Sequence, residues 1–261
     1  DRVDRPGFLR HAADELHLWL CTLKDLDDEP GSRAGMASTA TSRPSESRRE
    51  WLSREEHERA DRLSRPADSA RYVSAHCLKR HILASYLDAS PADLRFEKGK
   101  HGKPRLAAPS RDIGPLRFNL AHSGHLMLLA ASASRVGVDL EWMQELSDLE
   151  AMLERCLGPE ELAAFNEHIP KERRREAFYR VWTRKEAWLK ATGRGLSAGL
   201  RSVEITVDPG RPPELKSDDV SGPGSVDGWL RDVSLPDGWA GAVAGLGSPP
   251  RSVRCRRWTS S

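Results

Sequence analysis

Two short stretches of this chain carry residue types that could do chemistry. The stretch WTRKEAWLK is expected to be helical, and it places Glu186 and Lys190 four residues apart on one face. The stretch GVDLE is apolar and strand-like, so Asp139 and Glu141 point to the same side. Three carboxylates from two elements, with lysines beside them, suit a hard divalent cation that holds a phosphate-bearing ligand. The sequence therefore predicts phosphoryl-transfer chemistry.

Each stretch alone also fits a structural explanation. A strand that is half buried alternates polar and apolar positions, and the helix could bury Trp182 and Trp188 while its charges stay in solvent. The chemical interpretation is favoured because both stretches occur together with a glycine- and lysine-rich turn and an FNLAHS segment, in a fixed order.

Composition narrows the class of protein. The 261 residues carry a formal net charge of +2, with basic residues concentrated near residues 98–105 and 171–175. Without a recognised nucleic-acid module, these clusters do not indicate a nucleic-acid-binding protein. Four dispersed cysteines predict reduced thiols in a cytoplasmic protein. No apolar run approaches the roughly 20 residues of a membrane span, so no membrane association is expected.

The hydrophobic patterns predict a mixed α+β chain in which strands and helices are clustered. The segment 29–49 is rich in Gly, Ser and Pro and is expected to be a flexible loop, and the tail 248–261 is expected to be frayed. The expected strands cover residues 16–23 and 137–141, and two more lie within residues 117–132, joined at a polar hinge at residues 122–124. The expected helices cover residues 53–63, 70–87, 149–156, 160–168 and 171–191.

The order HGKPRL, FNLAHS, GVDLE and FYRVWTRKEAWLKATGRGL resembles the 4′-phosphopantetheinyl transferases, specifically the large, monomeric surfactin-synthetase-activator type. The signatures of that family are GKP, FN(I/L)SHS, G(I/V)D(I/L)E and a helix with the pattern W(T/S/A)xKEAxxKxxGxGL. Each element is weak alone, but four in the correct order make a specific match. The matching region extends from Glu55 to Leu200, more than half of the chain.

The resemblance implies a fold and a reaction. The fold is α+β, with two similar α/β halves, residues 1–135 and 136–261, forming an intramolecular pseudo-dimer around an active-site cleft. The reaction moves phosphopantetheine from coenzyme A to a serine of an acyl, polyketide or peptidyl carrier protein, with Mg²⁺ or alternatively Mn²⁺, and releases 3′,5′-ADP. A non-catalytic coenzyme A- or carrier-binding protein of the same fold is the alternative.

The resemblance also implies roles for individual residues. Asp139, Glu141 and Glu186 would bind the metal ion, and Glu186 and Lys190 would act in catalysis. Lys190, one helical turn beyond Glu186, would lie over the pyrophosphate and stabilise the leaving group. Lys185 would reach the phosphates as well.

Other matched positions would bind coenzyme A. His122 and Lys103 would contact its 3′-phosphate, and Ala121 replaces a family serine, so only its backbone N–H could serve. The remaining positions assigned to coenzyme A are Arg59, Lys98 and Asn119.

The general base and the carrier surface are the last expectations. Glu161 is the residue that matches the family register, with Glu160 or a water as alternatives; a carboxylate there could accept the proton of the acceptor serine. A patch formed by Leu153, Cys156 and Phe165 is expected to bind the carrier.

Overall fold

A computed structural model of the chain describes residues 14–23, 46–99, 102–107, 115–194, 199–218 and 227–258. The strands are β1 (Glu15–Thr22), β2 (Phe96–Lys98), β3 (Pro104–Leu106), β4 (Arg117–Ser123), β5 (Leu126–Ser132), β6 (Val136–Trp142), β7 (Val203–Ile205), β8 (Leu215–Asp218), β9 (Gly228–Asp232), β10 (Trp239–Leu246) and β11 (Ser252–Trp258). The helices are α1 (Glu46–Arg49), α2 (Arg54–Asp61), α3 (Pro66–Leu87), α4 (Leu149–Cys156), α5 (Pro159–His168) and α6 (Arg174–Thr192). Most of the predicted loop 29–49 lies outside the described residues.

The two halves share one arrangement. Strands β1, β5 and β4 of the first half form a sheet in the order β11-β1-β5-β4, whose outer strand β11 comes from the end of the chain, and the second half forms a sheet in the order β6-β10-β9. In each half a first strand is followed by a long helix and then by an antiparallel strand pair, whose second strand lies beside the first strand. The prediction of two similar α/β halves is therefore confirmed.

Side chains that point alternately to the two faces of a strand form separate apolar layers. On β5, Leu128 faces a core that contains Val138 and Val243 of the second sheet, whereas Met127 and Leu129 face the core that includes the buried side of α3. Side chains that are two residues apart share a face of a strand, which explains the alternation. The two sheets therefore meet through a shared apolar core.

Asn119 joins the two sheets directly. Its Oδ1 accepts a hydrogen bond from the backbone N–H of Val138 at 2.8 Å, so β4 and β6 are linked across the halves. The side chain is 7% exposed. Asn119 therefore has a structural role at this contact, since its oxygen satisfies a buried backbone donor, and its contact with coenzyme A stays a prediction.

The segment Ser252–Trp258 is a strand and not a frayed tail. It pairs in parallel with β1, from Glu15 opposite Ser252 to Cys21 opposite Trp258. Without it β1 would be an edge strand with unpaired backbone groups. The sequence SVRCRRW hides this strand because three arginines interrupt any apolar alternation.

Gly137 is the position at which β6 and α6 come closest. A Cβ atom built there would lie 2.1 Å from the carbonyl oxygen of Ala187 and 2.3 Å from the amide nitrogen of Ala191. Both are backbone atoms of α6, so rotation of a side chain cannot relieve the clash. The helix reaches β6 because residue 137 has no side chain.

Gly137→Ala is expected to lower the free energy of unfolding by about 3 kcal/mol, because the added methyl forces α6 away from the strand. Chemical denaturation measures this change. Gly210→Ala is the control, since its Cβ would meet only a side-chain oxygen of Asp208, at 3.2 Å. An unfolding curve for Gly137→Ala that overlays the wild-type curve would contradict the close contact.

No helix among the described residues is long and apolar enough to span a membrane.

Candidate active site

Strand β6 and helix α6 carry the predicted metal ligands to one place. Asp139 and Glu141 lie on the same side of β6 as Gly137 and therefore face α6, where Glu186 and Lys190 are one turn apart. The Nζ of Lys190 donates to Oδ1 of Asp139 at 2.5 Å. The structure thus brings together all four residues that the two sequence stretches singled out.

The carboxyl groups at this place are shielded from water. Asp139 is 4% exposed and Glu186 is 5% exposed. At the rim, the hydroxyl of Ser123 donates to Oε2 of Glu141 at 2.8 Å and accepts from the backbone N–H of Trp142 at 3.2 Å. Ser123, at the end of β4, therefore links the first half to a predicted metal ligand.

Burial raises the pKa of each of these carboxyl groups, and repulsion between carboxylates adds to the rise at Glu141 and Glu186. Burial is the largest cause for Asp139, Glu141 and Glu186, and the charge of Asp139 adds to it at the other two. The pKa of Glu186 rises to about 7. Lys190 opposes the rise at all three groups, because its positive charge favours the ionised form.

Two carboxylate oxygens have no partner. Oδ2 of Asp139 and Oε1 of Glu186 are buried and accept no hydrogen bond from any residue that the structure describes. Such atoms are costly unless a cation or donor satisfies them. They fit a divalent cation, because Mg²⁺ takes one or two carboxylates, retains waters and also binds substrate phosphates.

A complete metal cage is not preformed. Over the described ranges, no group of three or more His, Cys, Asp or Glu side chains is arranged to hold a metal ion. Lys190 explains part of this, since its ammonium lies against Asp139. The orphaned oxygens still fit a metal site, because a cation that shares its ligands with a phosphate substrate needs no closed protein cage.

Glu186→Gln is expected to stabilise the metal-free protein at high pH. The pKa of Glu186 is about 7 in the folded protein, against an ordinary value of 4.5. The protonated carboxyl group therefore contributes fully to stability below pH 4.5, and this contribution is lost as the pH rises through 7. The loss amounts to about 3 kcal/mol.

Urea unfolding should therefore show Glu186→Gln to be more stable than wild type at about pH 8 and nearly equal to it at about pH 5. Glu160→Gln, on an exposed position of α5, should match wild type at both. If the difference in free energy of unfolding between Glu186→Gln and wild type did not change with pH, the raised pKa of Glu186 would be contradicted.

His122 and Arg71 extend the site toward the first half. His122 is exposed on β4, and its pKa is lowered by partial desolvation and by the positive charges of Arg71 and Lys190. Both charges therefore act on His122, and Asp68 opposes them. Arg71, which also pairs with Asp68 on α3, was not singled out from the sequence, because one arginine on a long polar helix carries no pattern.

Lys185 does not line the site. Its Nζ donates to Oε2 of Glu161 at 2.5 Å and to the carbonyl oxygens of Cys156 and Leu200 at 2.8 and 3.2 Å. The side chain is 0% exposed. The prediction that Lys185 reaches a phosphate is therefore corrected, since its three N–H donors are all used inside the protein.

Glu161 is equally enclosed. Its Oε2 also accepts from the N–H of Gly158 at 2.9 Å, and its Oε1 accepts from the N–H of Ile205 at 2.8 Å. A general base must come within hydrogen-bond reach of the proton that it removes. This geometry does not support Glu161 as the base, whereas Glu160 is exposed in the first turn of α5.

The same pairing occurs in the first half. Glu56, the third residue of α2, accepts from Lys79 and Arg80 of α3 at 2.6 and 2.7 Å. Glu161, the third residue of α5, pairs in the same way with Lys185 of α6. Each half thus joins a short helix to its long helix through a buried glutamate, which supports a structural role for Glu161.

The other predicted ligands of coenzyme A fall into two groups. Lys103 donates to the backbone carbonyls of Val136 and Lys190 at 2.7 and 2.6 Å, so it is not presented to a ligand here. Arg59 and Lys98 are exposed on α2 and β2, and their contact with coenzyme A stays a prediction.

Ala121 and the predicted carrier patch are interior. Ala121 is 7% exposed and faces the core shared by the sheets, so its role is packing. Leu153 is 2% exposed, and Cys156 and Phe165 are 0% exposed, so these residues do not form a docking surface. The spacing of apolar residues in a helix does not tell a core face from a binding face.

Comparisons with known proteins agree with this geometry. A family model described as "4'-phosphopantetheinyl transferase superfamily" matches residues 135–244, and one described as "4'-phosphopantetheinyl transferase, N-terminal" matches residues 41–134. The chain is 34% identical over 254 residues to 4'-phosphopantetheinyl transferase HetI of Nostoc sp. (strain PCC 7120), covering 95% of this chain and 96% of that protein.

Other similarities are shorter. The chain is 27% identical over 157 residues to 4'-phosphopantetheinyl transferase Sfp of Bacillus subtilis (strain 168), covering 59% of this chain and 66% of that protein. Among solved structures, a holo-ACP-synthase from Plasmodium yoelii matches with a TM-score of 0.34 and 23% identity, covering 43% of this chain and 94% of that one.

Proposed function

This chain belongs to the 4′-phosphopantetheinyl transferase superfamily, and we propose that it moves the phosphopantetheine arm of coenzyme A to a serine of a carrier protein in a Mg²⁺-dependent reaction. The observation that carries the proposal is the buried acidic cluster beside Lys190, with unpartnered oxygens on Asp139 and Glu186. We also propose that the two halves divide near residue 135, between β5 and β6.

Asp139, Glu141 and Glu186 would hold the magnesium ion. Bound there, magnesium supplies positive charge that neutralises the pyrophosphate of coenzyme A. Ser123 orients Glu141 through its hydrogen bond, which fixes one ligand before substrate arrives. The raised pKa values of the cluster fit this use, because a cation would relieve the repulsion that raises them.

Lys190 would exchange its partner on substrate binding. Its side chain is 29% exposed, so its ammonium can leave Asp139 for a pyrophosphate oxygen. In the transfer step, the serine hydroxyl gives its proton to a base, Glu160 or a water, its oxygen bonds to the phosphorus of the arm, and the bond from that phosphorus to the bridging oxygen breaks. The 3′,5′-ADP departs with the electron pair, and Lys190 would stabilise this charge.

His122 and Arg71 would bind the 3′-phosphate of coenzyme A. The charges of Arg71 and Lys190 both act on His122, and His122 and Arg71 lie on elements of the first half, where both can donate hydrogen bonds to phosphate oxygens. An anion placed between them would also favour the protonated form of His122. The nucleotide end of the substrate would thus contact the first half and the reacting phosphates the second.

Intact-mass spectrometry of an apo carrier protein tests the proposal. The carrier is incubated with the protein, coenzyme A and Mg²⁺, with and without a chelator. We expect the carrier to gain the mass of one phosphopantetheine arm, and we expect the chelator to prevent the gain. No gain with acyl, polyketide and peptidyl carriers would overturn the proposed function.

A further inference from the structure

The turn between β2 and β3 holds the backbone of Lys103 in place. The N–H of Gly99 donates to the carbonyl of Lys103 at 2.9 Å, and the N–H of Gly102 donates to the carbonyl of Gly99 at 2.9 Å. Lys98 and Pro104 then pair across the two strands. Lys103 therefore extends from a closed turn of the first half.

The ammonium of Lys103 lies on the backbone of the second half. Its Nζ donates to the carbonyl oxygen of Val136 at 2.7 Å and to that of Lys190 at 2.6 Å. Val136 begins β6, the strand that carries Asp139, and Lys190 is in the last turn of α6. One side chain thus joins the hairpin to both elements that build the acidic site.

The carbonyl of Lys190 needs such a partner. It is one of the last carbonyls of α6, and the N–H groups of Gly193 and Arg194 both donate to Leu189 instead. Carbonyls at a helix C-terminus lack partners within the helix, and a cation there is also favoured by the helix dipole. Lys103 therefore caps α6 at the residue that carries the catalytic ammonium.

We infer that Lys103 is a positioning residue, which sets the place of Lys190 by clamping the end of α6 to the start of β6. This inference rests on the proposed function of the site. The clamp lies near the close contact at Gly137, where helix and strand already touch. Because Lys190 must approach both Asp139 and the pyrophosphate, a small shift of its backbone would misplace its ammonium.

Several features oppose a direct phosphate contact by Lys103. Two of its three N–H donors are used by carbonyls, and its pKa is lowered to about 8 by burial and by the charges of Arg135, Lys190 and Arg117. A buried ammonium that satisfies backbone carbonyls is costly to pull away, because the carbonyls are then left unpaired.

Amide hydrogen exchange tests the clamp without any need for activity. In Lys103→Met, exchange at residues 191–194 should be about tenfold faster than in wild type, because the end of α6 loses its cap. Arg105→Met is the matched control, as it removes an exposed charge of the same hairpin, paired only with Glu97. Unchanged exchange in Lys103→Met would overturn the inference, whether or not the wild type modifies a carrier.

Kinetics then separate positioning from substrate binding. Lys103→Met should lower kcat about tenfold and change the KM for coenzyme A by less than about twofold, and Lys103→Arg should recover most of kcat. The double variant Lys103→Met, Lys190→Ala should be no slower than Lys190→Ala alone, because both act through one ammonium. A raised KM for coenzyme A with normal kcat, or additive losses in the double variant, would overturn the inference.

Discussion

Asp139→Asn is expected to lower kcat/KM for carrier modification about a thousandfold, because Lys190 loses the carboxylate that it contacts and the proposed metal ion would lose a ligand. The side chain is buried, its Oδ1 holds Lys190 at 2.5 Å and its Oδ2 has no other partner. Asparagine preserves the shape of the side chain but removes the charge, so the protein should remain folded. Steady-state kinetics with an apo carrier measure the loss.

A matched control shows whether the loss depends on the position of Asp139 and not only on the removal of one negative charge. Glu145→Gln removes a carboxylate from the exposed chain just after β6, where its partner is Arg175 at the surface. We expect wild-type kinetics for this variant. If Asp139→Asn retained more than about a tenth of wild-type kcat/KM, the acidic cluster would not be where the transferred phosphate is stabilised.

Lys185→Met is expected to lower the free energy of unfolding by about 4 kcal/mol, because it leaves the buried carboxylate of Glu161 without its counter-ion. The pair is enclosed, with 0% and 2% of the two side chains exposed. Urea or guanidinium unfolding measures the loss. The double variant Lys185→Met, Glu161→Leu should recover part of it, since no unpaired charge remains.

The same substitutions decide the assignments that the family resemblance suggested. Glu160→Gln, one residue from Glu161 but exposed, should leave stability unchanged. If Lys185→Met unfolded like wild type while its affinity for coenzyme A fell, Lys185 would be a phosphate ligand after all. That result would require α6 to present this lysine to substrate, contrary to the buried pair.

Local periodicity was enough to predict most of the fold. The first strand, the long helix α3 and the hairpin of β4 and β5 all follow from spacings of 2.0 or 3.6 residues. The strand β11 could not be found this way, because it is a charged edge strand that is ordered by pairing with β1.

Part of the site could also be predicted from local spacing, and part could not. Asp139, Glu141, Glu186 and Lys190 were predictable because each pair lies on one element, where spacing fixes which residues share a face. The buried position of Lys185 could not be predicted in this way, because its hydrogen-bond partners lie on the neighbouring helix α5 and at residue 200, beyond α6. A charged residue beside a ligand can be an interior partner, and its sequence position alone does not separate the two roles.

The pairing of each long helix with a short one shows why a match to a family motif can assign the wrong role to a single residue. Glu56 and Glu161 occupy equivalent places in the two halves, and the first of them is remote from the acidic cluster in sequence. A residue that recurs in both halves serves what both halves need, which is the attachment of the long helix. Asp139 and Glu186 lie in the second half, and we propose that they serve the chemistry.

The most direct test is calorimetric titration of Mg²⁺ into the protein with bound coenzyme A, comparing wild type with Asp139→Asn. We expect one saturable site per chain in wild type and no detectable site in the variant. If the variant bound Mg²⁺ as wild type does, the ion would lie elsewhere, and the assignment of this cluster to the metal and pyrophosphate would be wrong.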